Sequence, residues 1–217
     1  MKEFCFKMNV LVVKANNRPS SEGVSSKMYD VFMDNVGTDV NVKTFDVFKE
    51  DMPYFGQDFF NAMQKSAQAE ELEEIEQRIL TAANKAMDAF LDADVVVFAF
   101  PLWNKTIPAP LQTFIDYIYR AGVTFKYTEE GPVGLVPEKK VIILNARGGI
   151  YSNAEMAPSE MSVNYIRMIM NFFGIEDIEE VIIEGHNMYP DRAQEIIEDG
   201  MKRVEEVAQS FEKAKVQ

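Results

Sequence analysis

Chemistry-bearing residues are scarce in this chain of 217 residues, which has one cysteine, one histidine and one tryptophan. Cys5, being alone, cannot close an internal disulfide or seed a cysteine-cluster metal site, and it reads as a bystander. With His186 as the only imidazole, no Ser-His-Asp or Cys-His set stands at a recognisable spacing, which argues against covalent hydrolysis. Between Gly185 and Asn187, His186 reads as a structural loop residue or a proton donor. Neither GxGxxG nor GxxxxGK[ST] occurs, so the dinucleotide fingerprint and the P-loop are both missing. No apolar run approaches the roughly 20 residues of a bilayer span. The first eight residues are too short, and too broken by Lys2, Glu3 and Lys7, for a secretory leader. Basic residues are few, 22 against 35 acids. The resulting net charge of −13 repels nucleic-acid backbones and anionic membrane surfaces alike. A cytoplasmic protein is the expectation.

What is present suits a packed globular chain. Hydrophobic residues make up 47% and aromatics 12%, and no Pro/Gly/Ser-rich linker divides the sequence, so one domain over residues 1–217 is expected. The most informative stretch runs from Val95 to Asn104. Its continuous apolar run predicts a strand buried on both faces. It ends in Pro101, Leu102, Trp103, Asn104 and Lys105, and Pro108 and Pro110 then open a helix. Similar apolar segments at 9–14, 140–145 and 178–184, with an alternating one at 40–47 suited to a sheet edge, complete five strands.

Between these strands, helical spacing follows Val24, Met28, Val31 and Phe32, then residues 70–91, 108–120, 155–173 and 191–211. Residues 54–61 read as a mobile segment or short helix, and 122–137 as a structured excursion rich in Gly, Pro and aromatics. The acids Glu70, Glu71, Glu73, Glu74 and Glu76 read as a solvated helix face. Strands alternating with helices specify a parallel sheet covered on both faces, and five strands suggest the order 2-1-3-4-5. Ligands in such sheets bind beyond the carboxyl ends of the strands where the order reverses, here between strands one and three. The loops after Lys14, Phe100 and Asn145 are therefore the candidates.

Each loop has a plain alternative. Asn16, Ser25 and nearby donors suit an anion at a helix N-terminus, although such residues also cap helices. The Trp103 loop suits a flat ligand, or is a strand-to-helix turn with the indole in the core. Asn145, Ala146, Arg147, Gly148 and Gly149 allow close approach to a planar group, or form a tight turn with an exposed arginine. Their convergence on one edge favours a ligand site. Phe59, Phe60, Phe172 and Phe173 exceed a helix stripe, which suggests an interface or an aromatic pocket.

Through VLVVKANNRP, FPLWNKTIPAPLQTFIDYIYRAGVTFKYTEEGPVGL, LNARGGIYS and VIIEGHNMYPD the chain resembles the FMN-dependent NADH-azoreductases, bacterial quinone reductases of flavodoxin fold. That resemblance implies a flavodoxin-like three-layer sandwich, a homodimer with FMN at sites bordered by both subunits, and NADH as electron donor. It implies that Pro101, Leu102, Trp103, Asn104 and Lys105 wrap the isoalloxazine, that Asn145, Ala146, Arg147, Gly148 and Gly149 lie near its pyrimidine end, and that Asn16 and Ser25 meet the phosphate. Tyr127 and Tyr151 match positions bordering the substrate face. Many relatives carry Ser at position 16 and an S-x-S motif where this chain reads Gly23-Val24-Ser25, so backbone N–H groups or Ser26 must replace a hydroxyl. The implied reaction is ping-pong hydride transfer through flavin N5 to quinones or, in two cycles, to aromatic azo bonds. It needs no dedicated catalytic side chain beyond electrostatic support from Asn104 and Arg147. A flavodoxin-type electron carrier without its own NADH activity is the alternative, and a flavin-binding regulatory or scaffold protein a third.

Overall fold

The computed structural model describes residues 7–213, so Cys5 lies outside the described residues. Its framework is a parallel sheet of β1 (Asn9–Lys14), β2 (Asn41–Asp46), β3 (Val95–Pro101), β6 (Lys140–Arg147) and β7 (Ile178–Glu184), in the order β2-β1-β3-β6-β7. Counting the strands of this sheet alone, that is the expected 2-1-3-4-5. All seven residues of the central strand β3 are buried, because helices cover both faces. β2, by contrast, alternates along the outer edge, with only Phe45 buried.

Strand parity sorts the core. Leu11, Val13, Val96, Phe98, Phe100, Val141 and Ile143 face α3 (Glu74–Asp92), α4 (Ala109–Ile118) and α5 (Val163–Phe172). Their neighbours Val10, Val12, Val95, Val97, Ala99, Ile142, Leu144 and Ala146 face α1 (Val24–Asn35) and α6 (Ala193–Lys213).

Some expected boundaries are corrected. Of the segment 54–61, the short-helix alternative holds from Gln57 and extends further than expected, as α2 (Gln57–Ala67), while 54–56 precede it, and α3 starts at Glu74 rather than at 70. Glu76 is not solvated: it is buried, accepts the Glu73 N–H at 2.8 Å in a capping box, and binds Lys65 Nζ at 2.7 Å. Its four acidic companions are exposed. The helix expected over 155–173 divides into a 3₁₀ turn at Ala157–Ser159 and α5. The division falls at Glu160, whose carboxylate accepts the N–H groups of Ser162, Val163 and Asn164 at 3.0 Å each and so starts a new helix. Phe59 and Phe173 are core residues, whereas Phe60 is exposed and Phe172 stacks on Tyr119.

The excursion at 122–137 contains an antiparallel hairpin, β4 (Phe125–Thr128) and β5 (Gly131–Gly134). It docks on the end of α5 so tightly that a Cβ on Gly134 would lie 2.1 Å from the Phe173 carbonyl carbon. Gly174, at φ +91°, turns the chain there. Gly134→Ala is expected to destabilise the protein by about 1–3 kcal/mol through overpacking against immovable backbone. A urea midpoint equal to that of the parent would contradict this docking.

Candidate functional site

Three connections leave the carboxyl edge around a cavity of about 860 Å³, within the range of small-molecule sites. The first follows β1. Asn16 Oδ1 accepts the Arg18 N–H at 2.9 Å, and Asn16 Nδ2 donates to Ser25 Oγ at 2.8 Å. With its oxygen already accepting, the Ser25 hydroxyl keeps a proton to donate. Ser26 instead donates to the Arg18 carbonyl at 2.7 Å, which commits it to the loop. A Cβ on Gly23 would lie 3.1 Å from Asn16 Nδ2 and 3.2 Å from Ser26 Oγ. The larger amide at position 16 thus fills the space that a side chain at 23 would need. Gly23 leaves the N-terminus of α1 without a side-chain cap, and the first N–H groups of a helix have no intrahelical acceptor. Arg18, Ser20 and Ser21 also line this end of the cavity. The result is a polar end suited to an anion.

The second connection follows β3, where Pro101, Leu102 and Trp103 form a wall. Leu102 N–H bonds the Ala146 carbonyl at 2.9 Å, and Trp103 and Thr106 exchange backbone hydrogen bonds at 3.1 and 3.0 Å. Asn104 and Lys105, at φ +51° and +68°, make the tip between them, a turn with both central residues left-handed. Trp103 is half-buried and meets Phe48 edge-on at 6.3 Å, so its indole lies at the cavity wall and not in the core.

The third follows β6, and parity decides its contribution. Ala146 and Gly148 line the cavity. Asn145 and Arg147 point through the opposite face. Asn145 is fully enclosed, with Nδ2 donating to the Phe100 carbonyl at 3.1 Å. Arg147 is buried between Glu184, 3.0 Å from its Nε, and Glu160, 3.8 Å from its Nη1, so it is no exposed turn arginine. Tyr151 sits 5.7 Å from that guanidinium beside a separate hollow of about 170 Å³, and Tyr127 is 72% exposed on β4. Neither tyrosine, and neither residue of the Asn104-Lys105 tip, lines the cavity in one copy of the chain.

His186 and Asn187, after β7, complete the wall. Asn187 and Met188 donate to the Gly148 carbonyl at 3.0 and 3.2 Å. Burial lowers the His186 imidazole from its usual 6.5 and so favours its neutral form. Its Nδ1 is enclosed without a partner. The strand-order rule pointed to the loops nearer the sheet centre and so passed over these two. Their signal was position alone, directly after the last strand.

Strand order, covering helices and a cleft over an uncapped helix start define a flavodoxin-like α/β protein. A family model described as "Flavodoxin-like fold" matches residues 8–208. The chain is 48% identical over 206 residues to FMN-dependent NADH:quinone oxidoreductase 1 of Bacillus subtilis (strain 168), covering 93% of this chain and 99% of the relative. A crystal structure of an azoreductase from Bacillus anthracis str. Sterne superposes with a TM-score of 0.88 at 48% identity, covering 94% of this chain and all of the other. A FMN-dependent NADH-azoreductase from Bacillus anthracis str. Ames Ancestor, in complex with FMN, gives 0.85 at 27% identity, covering 95% and 99%. The chain belongs to this family of flavodoxin-like FMN-dependent NADH:quinone oxidoreductases and azoreductases.

The Gly148 contact can be tested directly. A Cβ there would lie 2.3 Å from Asn187 Nδ2. Gly148→Ala is expected to lower stability by about 1–2 kcal/mol, and adding Asn187→Ala, which removes the amide atoms at 2.3 and 2.8 Å but keeps the Cβ at 3.0 Å, should restore part of the loss. Strictly additive losses in thermal unfolding would show that the glycine is needed for another reason.

Proposed function

We propose that this protein is an FMN-dependent NADH:quinone oxidoreductase that also cleaves aromatic azo bonds reductively. One observation carries this reading: the uncapped start of α1, the Pro101–Trp103 wall and the small residues Ala146 and Gly148 meet around one cavity of about 860 Å³. The residues fit the cofactor at both ends. The N–H groups of Val24 and Ser25, the Ser25 hydroxyl, Asn16 and Arg18 would hold a phosphate, with Ser20 and Ser21 supplying hydroxyls where Gly23 has none. Pro101, Leu102 and Trp103 would border one side of the ring, and Ala146 and Gly148 another, while Asn104, Lys105 and Gly149 lie outside the lining of the cavity in one copy. FMN in this cleft would supply the two-electron exchange, through N5 and by a ping-pong sequence, between NADH and the acceptor that replaces it.

The protein's own share is positioning. The left-handed turn and the hydrogen-bonded glycine loop hold backbone dipoles fixed before a ligand arrives, and fixed dipoles stabilise charge without reorganising. Arg18, paired with Glu22 at 3.5 Å, and Lys27 bring positive charge to the polar end of the cleft, where Glu22, Asp30 and Asp34 also stand.

The purified protein is expected to be yellow, to lose its flavin absorbance on anaerobic mixing with NADH alone, and to regain it with a benzoquinone. The acidic composition, net −13, also suits a flavodoxin-type carrier. Bound flavin that NADH bleaches only when a separate reductase is added would identify that carrier, and a chain that takes up no FMN would leave neither reading.

A homodimer belongs to the same proposal. Exposed Phe60 packs on Phe55 at the rim of a groove of about 260 Å³ that Asp116, Tyr119 and Tyr165 also line, and Tyr127 is exposed on β4. Covering these rings with a second copy would remove them from water. Light scattering is expected to give twice the chain mass of 24.7 kDa; a monomer with full activity would refute the dimer.

A further inference from the structure

Ionised groups persist in a protein interior only where other groups hold them. Three do so in one chain behind the cleft. Glu184, at the end of β7, accepts Arg147 Nε at 3.0 Å, the Tyr151 N–H at 2.9 Å and the Ser152 hydroxyl. Arg147, at the end of β6, reaches on toward Glu160 at 3.8 Å. Glu160 accepts the first N–H groups of α5 and the Ser162 hydroxyl. Next in sequence, Met161 donates its N–H to the Lys105 carbonyl at 3.0 Å and pairs with Thr106. Fixing Glu160 therefore fixes the left-handed Asn104-Lys105 turn, and fixing Glu184 fixes the chain that leaves Gly148 and Gly149.

We propose that Glu160, Arg147 and Glu184 are positioning residues for the ligand cleft, with Arg147 tying the 103–106 turn to the 148–152 turn through two carboxylates instead of offering its charge to the ligand. The inference rests on the reading that FMN occupies the cleft. Charge balance supports it. Burial pushes the Glu160 carboxyl upward, but the Ser162 hydroxyl and three backbone N–H groups outweigh this and hold it below its usual 4.5. Glu184 is likewise held down against its burial, by Ser152, the Tyr151 N–H and Arg147. Two carboxylates then face one guanidinium, which leaves no net positive charge for the cleft. Strand parity supports it too, because Arg147 departs from the face opposite the cavity.

Arg147→Met, Glu160→Gln, Glu184→Gln and the Arg147→Met/Glu160→Gln double variant would be titrated with FMN by quenching of flavin fluorescence. Each single change is expected to weaken binding about tenfold, and the double change little more, since the residues act as one unit. Arg147→Lys keeps the charge but cannot span both carboxylates, so it is expected to share the loss. The midpoint potential of bound flavin separates positioning from direct electrostatics. Removing a cation and removing an anion that act directly shift it in opposite directions, whereas loss of a common support shifts it the same way or not at all. Opposite shifts, additive losses in affinity, or full affinity with lysine at 147 would overturn the proposal.

A second measurement needs no cofactor. In Glu160→Gln without added flavin, amide exchange is expected to quicken at Trp103, Thr106 and Met161, and unchanged exchange there would also overturn the proposal. A parent protein that binds no FMN would defeat the cofactor reading and leave the exchange result to decide this one. A parent that binds FMN normally, with variants that match it, would defeat this one alone.

Discussion

β3 has no face toward water, and that constraint shapes the rest of the molecule. A strand enclosed on both sides cannot carry a polar side chain along its length without a partner for it, so its first opportunity for chemistry comes at the carboxyl end. Pro101, the buried last residue of β3, is the first of that run to reach the cavity wall, and Leu102 and Trp103 continue it. β1 and β6 flank β3 in parallel register and end within two residues of it, with Lys14 beside Ala99 and Ala146 beside Pro101. Parallel pairing of equally buried strands thus places three loops on one rim, and the fold generates a cleft before any residue is chosen for binding.

Within the rim, strand parity divides the labour. Ala146 and Gly148 face the cavity and are small enough to admit a ligand. Asn145 and Arg147 alternate with them, face the other layer, and serve there as supports. The first loop is organised similarly: Ser25 keeps a donor toward the cavity, while Ser26, one residue on, is spent on the Arg18 carbonyl. Neighbouring residues in one motif therefore do opposite work, one meeting the ligand side and the next holding the loop.

Much of this was legible beforehand. Continuous apolar runs marked the strands, helical spacing marked the covering layers, and the order 2-1-3-4-5 followed from their alternation. The loops were legible as positions on one edge. The failures were local and had local causes. Glu76 stands in the same acidic run as its exposed companions, and its burial depends on the capping box with Glu73 and on the approach of Lys65 from α2. The break before α5 depends on where the Glu160 carboxylate points, which helical periodicity does not report. Phe59 and Phe60 are equally aromatic, yet one enters the core and the other stays outside.

The sequence by itself determined which segments are strands and helices, because periodicity and turn chemistry are written residue by residue. It also pointed to the carboxyl edge of the sheet as the place for a site, because the βα loops of parallel strands converge there. Tertiary structure alone decided which side chain of each motif faces the cavity, that His186 and Asn187 close its wall, and that Arg147 is held between Glu160 and Glu184. Those outcomes depend on the directions taken by groups that are distant in sequence and brought together only when the sheet and its two helical layers pack.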